Sequence, residues 1–309
     1  MQTPECISLS TMRPTSMPSR SIICLGNFDG VHLAHRKLLR LALKLRRENY
    51  QDTPCAVFCF CEPSSDYLLS APPAHLSTLS QKLEYFKEEG IEYAFLIDFA
   101  SVKDLSCAEF AQTLLKDTCH CVAAVCGFNY HFGKGGTGDA KQLEQLLGCP
   151  VMIQEEVRDH NETVSSTRIR RFLSDGSVEE ATRLLQRPYC FTARVVHGKA
   201  LGHKLNAPTL NQFFPTNMLI PRHGVYVTEC EVDGKVYRGV SNVGVHPTVD
   251  TDARVNCETY LLDFSGNLYE KDLTVSFLKF LRPEKQFSNV KALQAQIQQD
   301  IFEARNYCK

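Results

Sequence analysis

The sequence predicts two domains: an α/β domain on a parallel sheet, then a small antiparallel barrel or sandwich that ends in one helix. Up to residue 186, short apolar stretches alternate with stretches whose apolar residues recur at helical spacing. Such alternation is typical of parallel sheets covered by helices on both faces. From residue 189, apolar and polar residues alternate with period two, as in FTARVV and VYVTECEV, which indicates antiparallel strands. Near the end, apolar residues at positions 290, 293, 297 and 301 lie on one helix face.

The predicted elements follow from apolar runs bounded by Gly, Pro and Asn. In the first domain, strands are expected at residues 22–25, 55–61, 92–98 and 120–126, and helices at 38–49, 79–89, 107–115, from 139, from 166 and at 178–186. Arg187-Pro188 ends the last helix, so the domains are placed at 21–186 and 187–309. Residues 1–20 are rich in Ser, Thr, Pro and Met, which predicts a flexible tail. In the second domain, Asp233-Gly234 and residues 265–267 are hairpin signals.

Composition limits the function classes. The 309 residues carry a net charge of -1 at pH 7, which gives no overall attraction to nucleic acid or to a membrane surface. No apolar run approaches the length that spans a bilayer. Fourteen cysteines lie mostly in or beside apolar runs and lack paired C-x-x-C spacing, which argues against a disulfide framework and against zinc. We therefore expect reduced thiols, a cytoplasmic location and small-molecule partners; a weak homo-oligomer is left open.

The stretch SIICLGNFDGVHLAHRKLLR (residues 21–40) combines a short buried strand, a glycine turn and a basic helix start. Gly26 and Gly30 let the backbone approach a bulky anion, and a helix N-terminus offers N–H groups and a positive dipole end. His32 and His35 are three residues apart, so both imidazoles are expected on one helix face. The stretch predicts a phosphate site, although a strand-to-helix turn needs glycine on its own account.

Residues 127–140, GFNYHFGKGGTGDA, have G-x-G-x-x-G spacing at Gly133, Gly135 and Gly138. A dinucleotide fingerprint requires the glycines directly after the first strand, whereas these follow a later strand at a distance. A Rossmann NAD site is therefore not assigned, and the sequence contains no G-x-x-x-x-G-K-[ST] motif. The stretch is either a ligand loop or a mobile surface loop.

VSSTRIR (residues 164–170) opens a helical run with hydroxyl residues, which N-capping alone would explain. Arg168, Arg170 and Arg171 follow in the first turns. Because cations there oppose the helix dipole, they need an anion or another partner. A bound triphosphate would supply that anion.

The stretch GHKLNAPTLN (residues 202–211) offers a rigid turn at Pro208, the hydroxyl of Thr209 and the amide of Asn211. These groups suit a Mg²⁺ ion that keeps most of its waters and binds phosphate. A Pro-Thr pair is common, so the bare motif does not establish the site.

Four of these stretches resemble motifs of one family. GNFDGVHLAH resembles the G-x-F-D-G-x-H-x-G-H signature of the nucleotidylyltransferase module in bifunctional bacterial riboflavin kinase/FMN adenylyltransferases, also called FAD synthetases. The glycine stretch is similar to the family's G-x-[DN]-[FY]-x-F-G-x-x-x-x-G-D segment, and VSSTRIR to its I-S-S-T-x-I-R motif. Residues 202–211 resemble the G-x-x-x-G-x-P-T-A-N loop of the kinase module, and GVSNVGVHPTV and ETYLLDF continue the match, so the resemblance spans nearly everything after residue 20.

The resemblance implies an α/β nucleotidylyltransferase domain with a Rossmann-like parallel sheet, followed by a riboflavin kinase β-barrel. It implies FMN formation from riboflavin and ATP in the second domain and FAD formation from FMN and ATP in the first, with Mg²⁺ as cofactor. Catalytic roles are implied for His32, His35, Arg170 and Glu258. Nucleotide or phosphate contacts are implied for Gly26, Phe28, Asp29, Gly30, Ser165, Ser166, Thr167, Gly202, Thr209 and Asn211, of which Thr209 and Asn211 are also metal ligands. Flavin contacts are implied for Asn129, Phe132, Gly133, Arg282 and Glu284.

The sequence departs from the family pattern at several positions. In the first module, Ala34 replaces a glycine, and Ser64 replaces the histidine of an F-x-P-H-P turn. In the second, two glycines of the family pattern are replaced by Asn206 and Glu270, an alanine by Leu210 and a histidine by Tyr260. Three alternatives stay open: an enzyme with only one of the two activities, a non-catalytic flavin-binding regulator, and a cytidylyltransferase that acts on an alcohol phosphate.

Overall fold

The structure is a computed structural model that describes residues 3–9, 17–62, 65–197, 209–245 and 254–308. The chain divides into two compact units, residues 1–166 and 167–309. Each unit has its own six-stranded sheet.

The first unit alternates strands and helices. Its main strands are β1 (Glu5–Ser8), β2 (Ser21–Leu25), β3 (Cys55–Phe60), β4 (Tyr93–Ile97) and β5 (Cys121–Gly127), and two short strands follow, β6 (His131–Phe132) and β7 (Gly138–Asp139), before β8 (Val151–Gln154), β9 (Arg158–Asp159) and β10 (Glu162–Thr163). Its helices are α1 (Leu33–Asn49), α2 (Ser65–Leu68), α3 (Leu79–Glu88), α4 (Phe99–Val102), a π-helix (Glu109–Thr118), a 3₁₀ turn (Lys134–Gly136) and α5 (Ala140–Leu147). The main sheet has the order β1-β4-β3-β2-β5-β8 with parallel pairing, which confirms the predicted parallel α/β domain.

Every residue of β2 is buried, which shows that both faces of the sheet are covered. Ile23 packs on one face in the same cluster as Phe110 of the π-helix. Ile22 packs on the other face in the same cluster as Phe86 of α3. Strand residues alternate between faces, so an apolar run such as IICL (residues 22–25) is typical of a central parallel strand.

Several cysteines belong to these cores. Burial raises the pKa of Cys55 to about 12 and that of Cys59 to about 11, so both thiols stay protonated and act as small apolar groups. In the described ranges, no three His, Cys, Asp or Glu side chains are grouped as metal ligands.

The predicted flexible tail is wrong for residues 5–8. These residues form β1, which pairs in parallel with β4 from Glu5↔Tyr93 to Ser8↔Leu96. Ile7 is buried against the sheet's core. The strand was missed because four residues are too short for a periodicity signal and the surrounding Ser, Thr and Pro favour disorder.

The second unit is a barrel with helices on its outside. It begins within α6 (Ser166–Asp175) and continues with α7 (Val178–Leu185), β11 (Tyr189–Arg194), β12 (Leu210–Phe213), β13 (Gly224–Val232), β14 (Lys235–Val245), β15 (Val255–Leu261), β16 (Asp272–Arg282) and α8 (Val290–Asn306). The strands pair antiparallel in the order β11-β16-β13-β14-β15-β12. Beyond β11, the Val196 N–H donates to the Asn211 carbonyl oxygen of β12 at 2.8 Å. This bond joins the two ends of the sheet, so the barrel closes.

The contacts divide the chain between residues 166 and 167, ahead of the predicted domain boundary at 186/187. The reason is that α6 and α7 pack on the barrel. The Arg222 N–H donates to the Leu173 carbonyl of α6 at 2.9 Å, and α7 contacts β11 and β16.

The two predicted hairpins have different outcomes. Asp233 and Gly234 both have positive φ, 50° and 78°, and join β13 to β14, as the Asp-Gly signal predicts. The hairpin predicted at residues 265–267 is wrong, because β15 pairs with β14 and β12 whereas β16 pairs with β11 and β13. A Gly-containing turn specifies a reversal of the chain, but distant strands decide which edges pair.

Candidate functional sites

The first candidate site lies at the carboxyl edge of the parallel sheet. Gly26 directly follows β2, and Gly127 is the last residue of β5. Because β2 and β5 are adjacent, both glycines lie at the same sheet edge, as predicted. This edge is where ligands bind in open α/β sheets.

The loop after β2 has an unusual backbone. Phe28, Gly30 and Val31 have φ values of 51°, 75° and 37°, and Phe28 and Val31 are fully buried. Left-handed backbone at a bulky or β-branched residue costs of order 1–3 kcal/mol each, and such strain concentrates at functional sites. The buried phenyl ring of Phe28 contacts Phe86 edge-on, with ring centroids 5.4 Å apart, and this packing holds the loop in place.

The two histidines of this loop come together. His32 is the N-cap residue of α1, and His35 lies in its first turn. Their imidazole rings stack with centroids 3.7 Å apart and an interplanar angle of 15°. Phe28 contacts the ring of His35 edge-on at 5.3 Å. The predicted shared face is therefore confirmed, and Ala34 between them lies inside the helix, where alanine is the most favourable residue.

Asp29 and Gly30 are used to assemble the loop. The Asp29 carboxylate accepts from the Leu76 N–H at 2.9 Å, and the Gly30 N–H donates to Ser77 Oγ at 3.0 Å. The Asp29 carbonyl accepts from the Ser166 hydroxyl at 3.0 Å. Three separate segments are thereby joined at the strand edge. Leu76 and Ser77 were missed from sequence because they carry no chemistry-bearing motif; only the capping box that follows marks the segment.

The glycine stretch packs on the start of the π-helix. A Cβ at Gly133 would lie 2.6 Å from Cys107 Sγ, and Gly133 has φ 73°. The packing of the protein therefore requires glycine at this position whether or not a ligand binds there. Phe132 is buried in the core, whereas Asn129 is exposed. Of the three residues predicted to contact flavin here, Asn129 is the one whose side chain is open to solvent.

The arginines of VSSTRIR lie on α6. Ser165 precedes this helix, Thr167 is exposed and Arg170 is half-buried. The guanidinium groups of Arg168 and Arg171 both lie over the Phe172 ring, with Cζ 5.3 and 5.6 Å from its centroid. These cation–π contacts therefore stabilise two of the arginines at a helix start, where the helix dipole disfavours positive charge.

The second candidate site is a polar row on the outer face of the barrel. Asn211 of β12 pairs with Glu258 of β15, and Glu258 pairs with Asn242 of β14. Directly opposed residues on neighbouring strands have adjacent side chains. The amide of Asn256 donates from Nδ2 to Asn211 Oδ1 at 3.2 Å. The structure thus brings the predicted residues Asn211 and Glu258 together and adds two asparagines that the motifs did not indicate.

Glu284 extends this row. Asn242 Nδ2 donates to Glu284 Oε1 at 3.3 Å. A Cβ at Gly244 would overlap the Glu284 carboxylate, so glycine is required there to admit the acidic side chain. Glu284 is therefore placed beside the residues predicted for the kinase reaction.

Arg282, for which a flavin contact is predicted, forms an ion pair with the C-terminal helix. Its Nε and Nη2 donate to the Asp300 carboxylate of α8 at 3.0 and 2.7 Å, and Asp300 is 3% exposed. Gln296 Nε2 donates to the same carboxylate at 2.9 Å. The guanidinium thus anchors the C-terminal helix to the end of β16.

The remaining predicted positions divide between described and undescribed residues. Thr209 is half-buried and directly precedes β12. Gly202, together with Ser64 and Asn206, lies outside the described residues. Tyr260 packs against an apolar cluster that includes Leu278 and Ala304. This packing accounts for an aromatic residue at a position where the family pattern has histidine.

The donor set of the barrel site fits a magnesium ion. Thr209 and Asn211 offer a hydroxyl and an amide oxygen, which are hard ligands of the kind that Mg²⁺ prefers. The Asn256 Oδ1 beside Asn211 is buried and has no hydrogen-bond partner among the described residues, so the site also holds an unused acceptor. No sulfur or imidazole ligand competes for softer metals within the described row.

The fold and the two sites define the class: an α/β nucleotidylyltransferase sheet followed by a small antiparallel barrel. Residues 15–168 match the FAD synthetase family, and residues 185–308 match the riboflavin kinase family. A bifunctional riboflavin kinase/FMN adenylyltransferase of Pseudomonas fluorescens is 33% identical, covering 92% of both chains. One from Escherichia coli K12 is 32% identical, covering 93% of this chain and 92% of its own. The chain belongs to the family of bifunctional riboflavin kinase/FMN adenylyltransferases and is a transferase with both of the family's domains in order.

A solved structure from Streptococcus pneumoniae shares the entire fold. It is described as a macrolide-efflux protein, is 31% identical, covers 98% of this chain and 99% of its own, and superposes with a TM-score of 0.90. Within the ranges that the structure describes here, none of the helices has the length and apolar character needed to traverse a bilayer.

Proposed function

We propose that this chain carries out both reactions of its family, in the cytoplasm and with Mg²⁺. Residues 187–309 would phosphorylate riboflavin to FMN, and residues 21–186 would adenylylate FMN to FAD. The observation that supports this most is that each unit places the residue types its reaction needs side by side: stacked imidazoles in one, an amide–carboxylate pair in the other.

In adenylyl transfer, a phosphate oxygen of FMN attacks the α-phosphorus of ATP and pyrophosphate leaves. No strong base is required, so the main contribution is donors aimed at the developing charge. His32 and His35 can each donate from a ring nitrogen in either protonation state. Their stacking fixes both rings together, and the strained loop holds them at the sheet edge where the nucleotide would bind. Ser165, Thr167 and Arg170 are assigned to phosphate on the resemblance of their motif.

In phosphoryl transfer, the ribityl 5′-hydroxyl of riboflavin attacks the γ-phosphorus of ATP in line. Catalysis is mostly positioning and charge stabilisation. Glu258 would accept the hydroxyl proton, since it is half-buried and lies beside the other polar residues of the row. Glu284 would contact the flavin from its place over Gly244.

Thr209 and Asn211 would hold the magnesium ion, and Mg²⁺ bound there would screen the charge of the transferred phosphate. The protein's own contribution is to keep these two oxygens next to Glu258. Cross-strand pairing of Asn211 with Glu258 does this through the backbone.

Site-specific variants test the division of labour. His32→Ala with His35→Ala should abolish FAD formation from FMN and leave FMN formation intact. Glu258→Gln should abolish FMN formation and leave FAD formation from added FMN intact. Both products are separated by chromatography from one sample. If either set of changes abolished both conversions in folded protein, or neither, the assignment of reactions to units would be wrong.

A further inference from the structure

Asn256 is a buried amide that the reactions above do not use. It is 6% exposed, and among the described residues its side chain makes one hydrogen bond, from Nδ2 to Asn211 Oδ1 at 3.2 Å. Its own Oδ1 is buried and unpartnered in the described part of the chain. Burying an amide whose carbonyl oxygen has no hydrogen-bond partner costs free energy. Filling the position with an apolar side chain would avoid that cost.

The place of Asn256 in the sheet connects it to the kinase residues. Asn256 and Glu258 are two residues apart on β15, so both project from the outer face of the barrel. Asn256 lies opposite Gly244, the position over which Glu284 packs. Asn211 is 7% exposed and lies opposite Glu258. The hydrogen bond between the two amides therefore links the proposed metal ligand Asn211 to the strand that carries the candidate base Glu258.

We propose that Asn256 is a positioning residue for phosphoryl transfer, whose Nδ2–H fixes the side-chain amide of Asn211 in the orientation that presents it to the magnesium-bound nucleotide. This inference rests on the proposed kinase site. A short amide has few rotamers but can flip end for end, exchanging an oxygen for an NH₂ group that cannot bind a cation. The donor on Asn256 selects the orientation by bonding to the Asn211 oxygen, which still has a second lone pair.

The test uses the full-length protein with Asn256→Leu, which keeps the branching of the side chain and removes the donor. Asn211→Ala and the double variant complete a cycle. Thr274→Val is the matched control, because it removes one partner of a cross-strand bond of 2.7 Å to Thr192 on another part of the same barrel. Three quantities are measured: FMN formation from riboflavin, FAD formation from added FMN, and the rise in melting temperature caused by MgADP.

Asn256→Leu should lower kcat/KM for FMN formation by about 10-fold or more, the usual effect of losing a residue that orients a ligand. It should also reduce the rise in melting temperature caused by MgADP. FAD formation from added FMN and the melting temperature without ligand should be the same as in the Thr274→Val control. In the Asn211→Ala background, Asn256→Leu should have no further effect on either readout.

The possible failures separate two ideas. If Asn211→Ala leaves FMN formation and MgADP stabilisation unchanged, the proposed kinase site is itself wrong. If Asn211→Ala impairs both but Asn256→Leu impairs neither, or if the two effects multiply in the double variant, the positioning role is wrong and the kinase site stands. Should Asn256→Leu fail to fold, Asn256→Ser, which is too short to reach Asn211, takes its place with the same expected losses.

Discussion

Replacing Asp300 by asparagine is expected to unfold the second unit at a markedly lower temperature. The Asp300 carboxylate accepts hydrogen bonds from Nε and Nη2 of Arg282 and from Nε2 of Gln296. The side chains of Arg282 and Asp300 are 18% and 4% exposed, so the ion pair is poorly screened by water. Asparagine keeps the shape of the side chain and one acceptor but removes the charge that compensates the guanidinium.

The size of the effect follows from this burial. Removing one partner of a buried ion pair costs about 3–5 kcal/mol, because the other charge is left without compensation. Since asparagine retains one acceptor, the lower end, about 3 kcal/mol, is expected. For a unit of this size, each kcal/mol shifts the melting temperature by roughly 4 °C. The transition of the second unit should therefore fall by about 10 °C.

Differential scanning calorimetry measures this shift, and the transition of the first unit is the internal reference. A second variant, Arg282→Met with Asp300→Leu, replaces the pair by apolar groups and should recover most of the lost stability. FMN formation in that double variant then reports whether Arg282 also contacts flavin, as the family resemblance implies. A fall of less than about 2 °C in Asp300→Asn would refute the conclusion that the pair anchors α8 to the barrel.

Three further outcomes are expected. His35→Ala should lower the rate of FAD formation about 100-fold, because it removes one donor to the transferred phosphate. His120→Ala, at an exposed histidine of the same unit, should leave this rate unchanged. Equal effects of the two substitutions would contradict the assignment of His35 to the active site. Gly244→Ala should displace Glu284 and raise the KM for riboflavin to the same extent as Glu284→Ala. Different KM values for the two variants would show that Glu284 does not act from its place over Gly244. Glu270 has φ 64°, so Glu270→Gly should raise the melting temperature of the second unit by relieving about 1 kcal/mol of strain, and a lower melting temperature would contradict that reasoning.

What the sequence predicted well depends on local chemistry. The spacing of His32 and His35 determines their shared helix face, and Asp233-Gly234 determines its own turn. The four apolar residues from Ile22 to Leu25 in β2 predict a central strand, because a strand that is buried on both faces favours apolar residues at successive positions. Each of these features is set by residues within one turn or one strand.

What the sequence did not predict depends on pairing between distant segments. Asn256 lies beside Asn211 only because β12 pairs with β15, and nothing near either residue indicates that register. The family resemblance implies a flavin contact for Arg282, but its partner Asp300 lies on a helix whose docking the sequence does not specify. In the same way, Ile7 joins the core only through the pairing of β1 with β4.

The central claim is that two ATP-dependent reactions occur in succession on one flavin. Purified protein, riboflavin, ATP and Mg²⁺ are incubated together, and FAD, ADP and pyrophosphate are quantified over time. The account predicts that FMN appears before FAD, that pyrophosphate equals the FAD formed, and that ADP equals the sum of FMN and FAD. Formation of neither FMN nor FAD, or of FAD with pyrophosphate but without ADP, would contradict it.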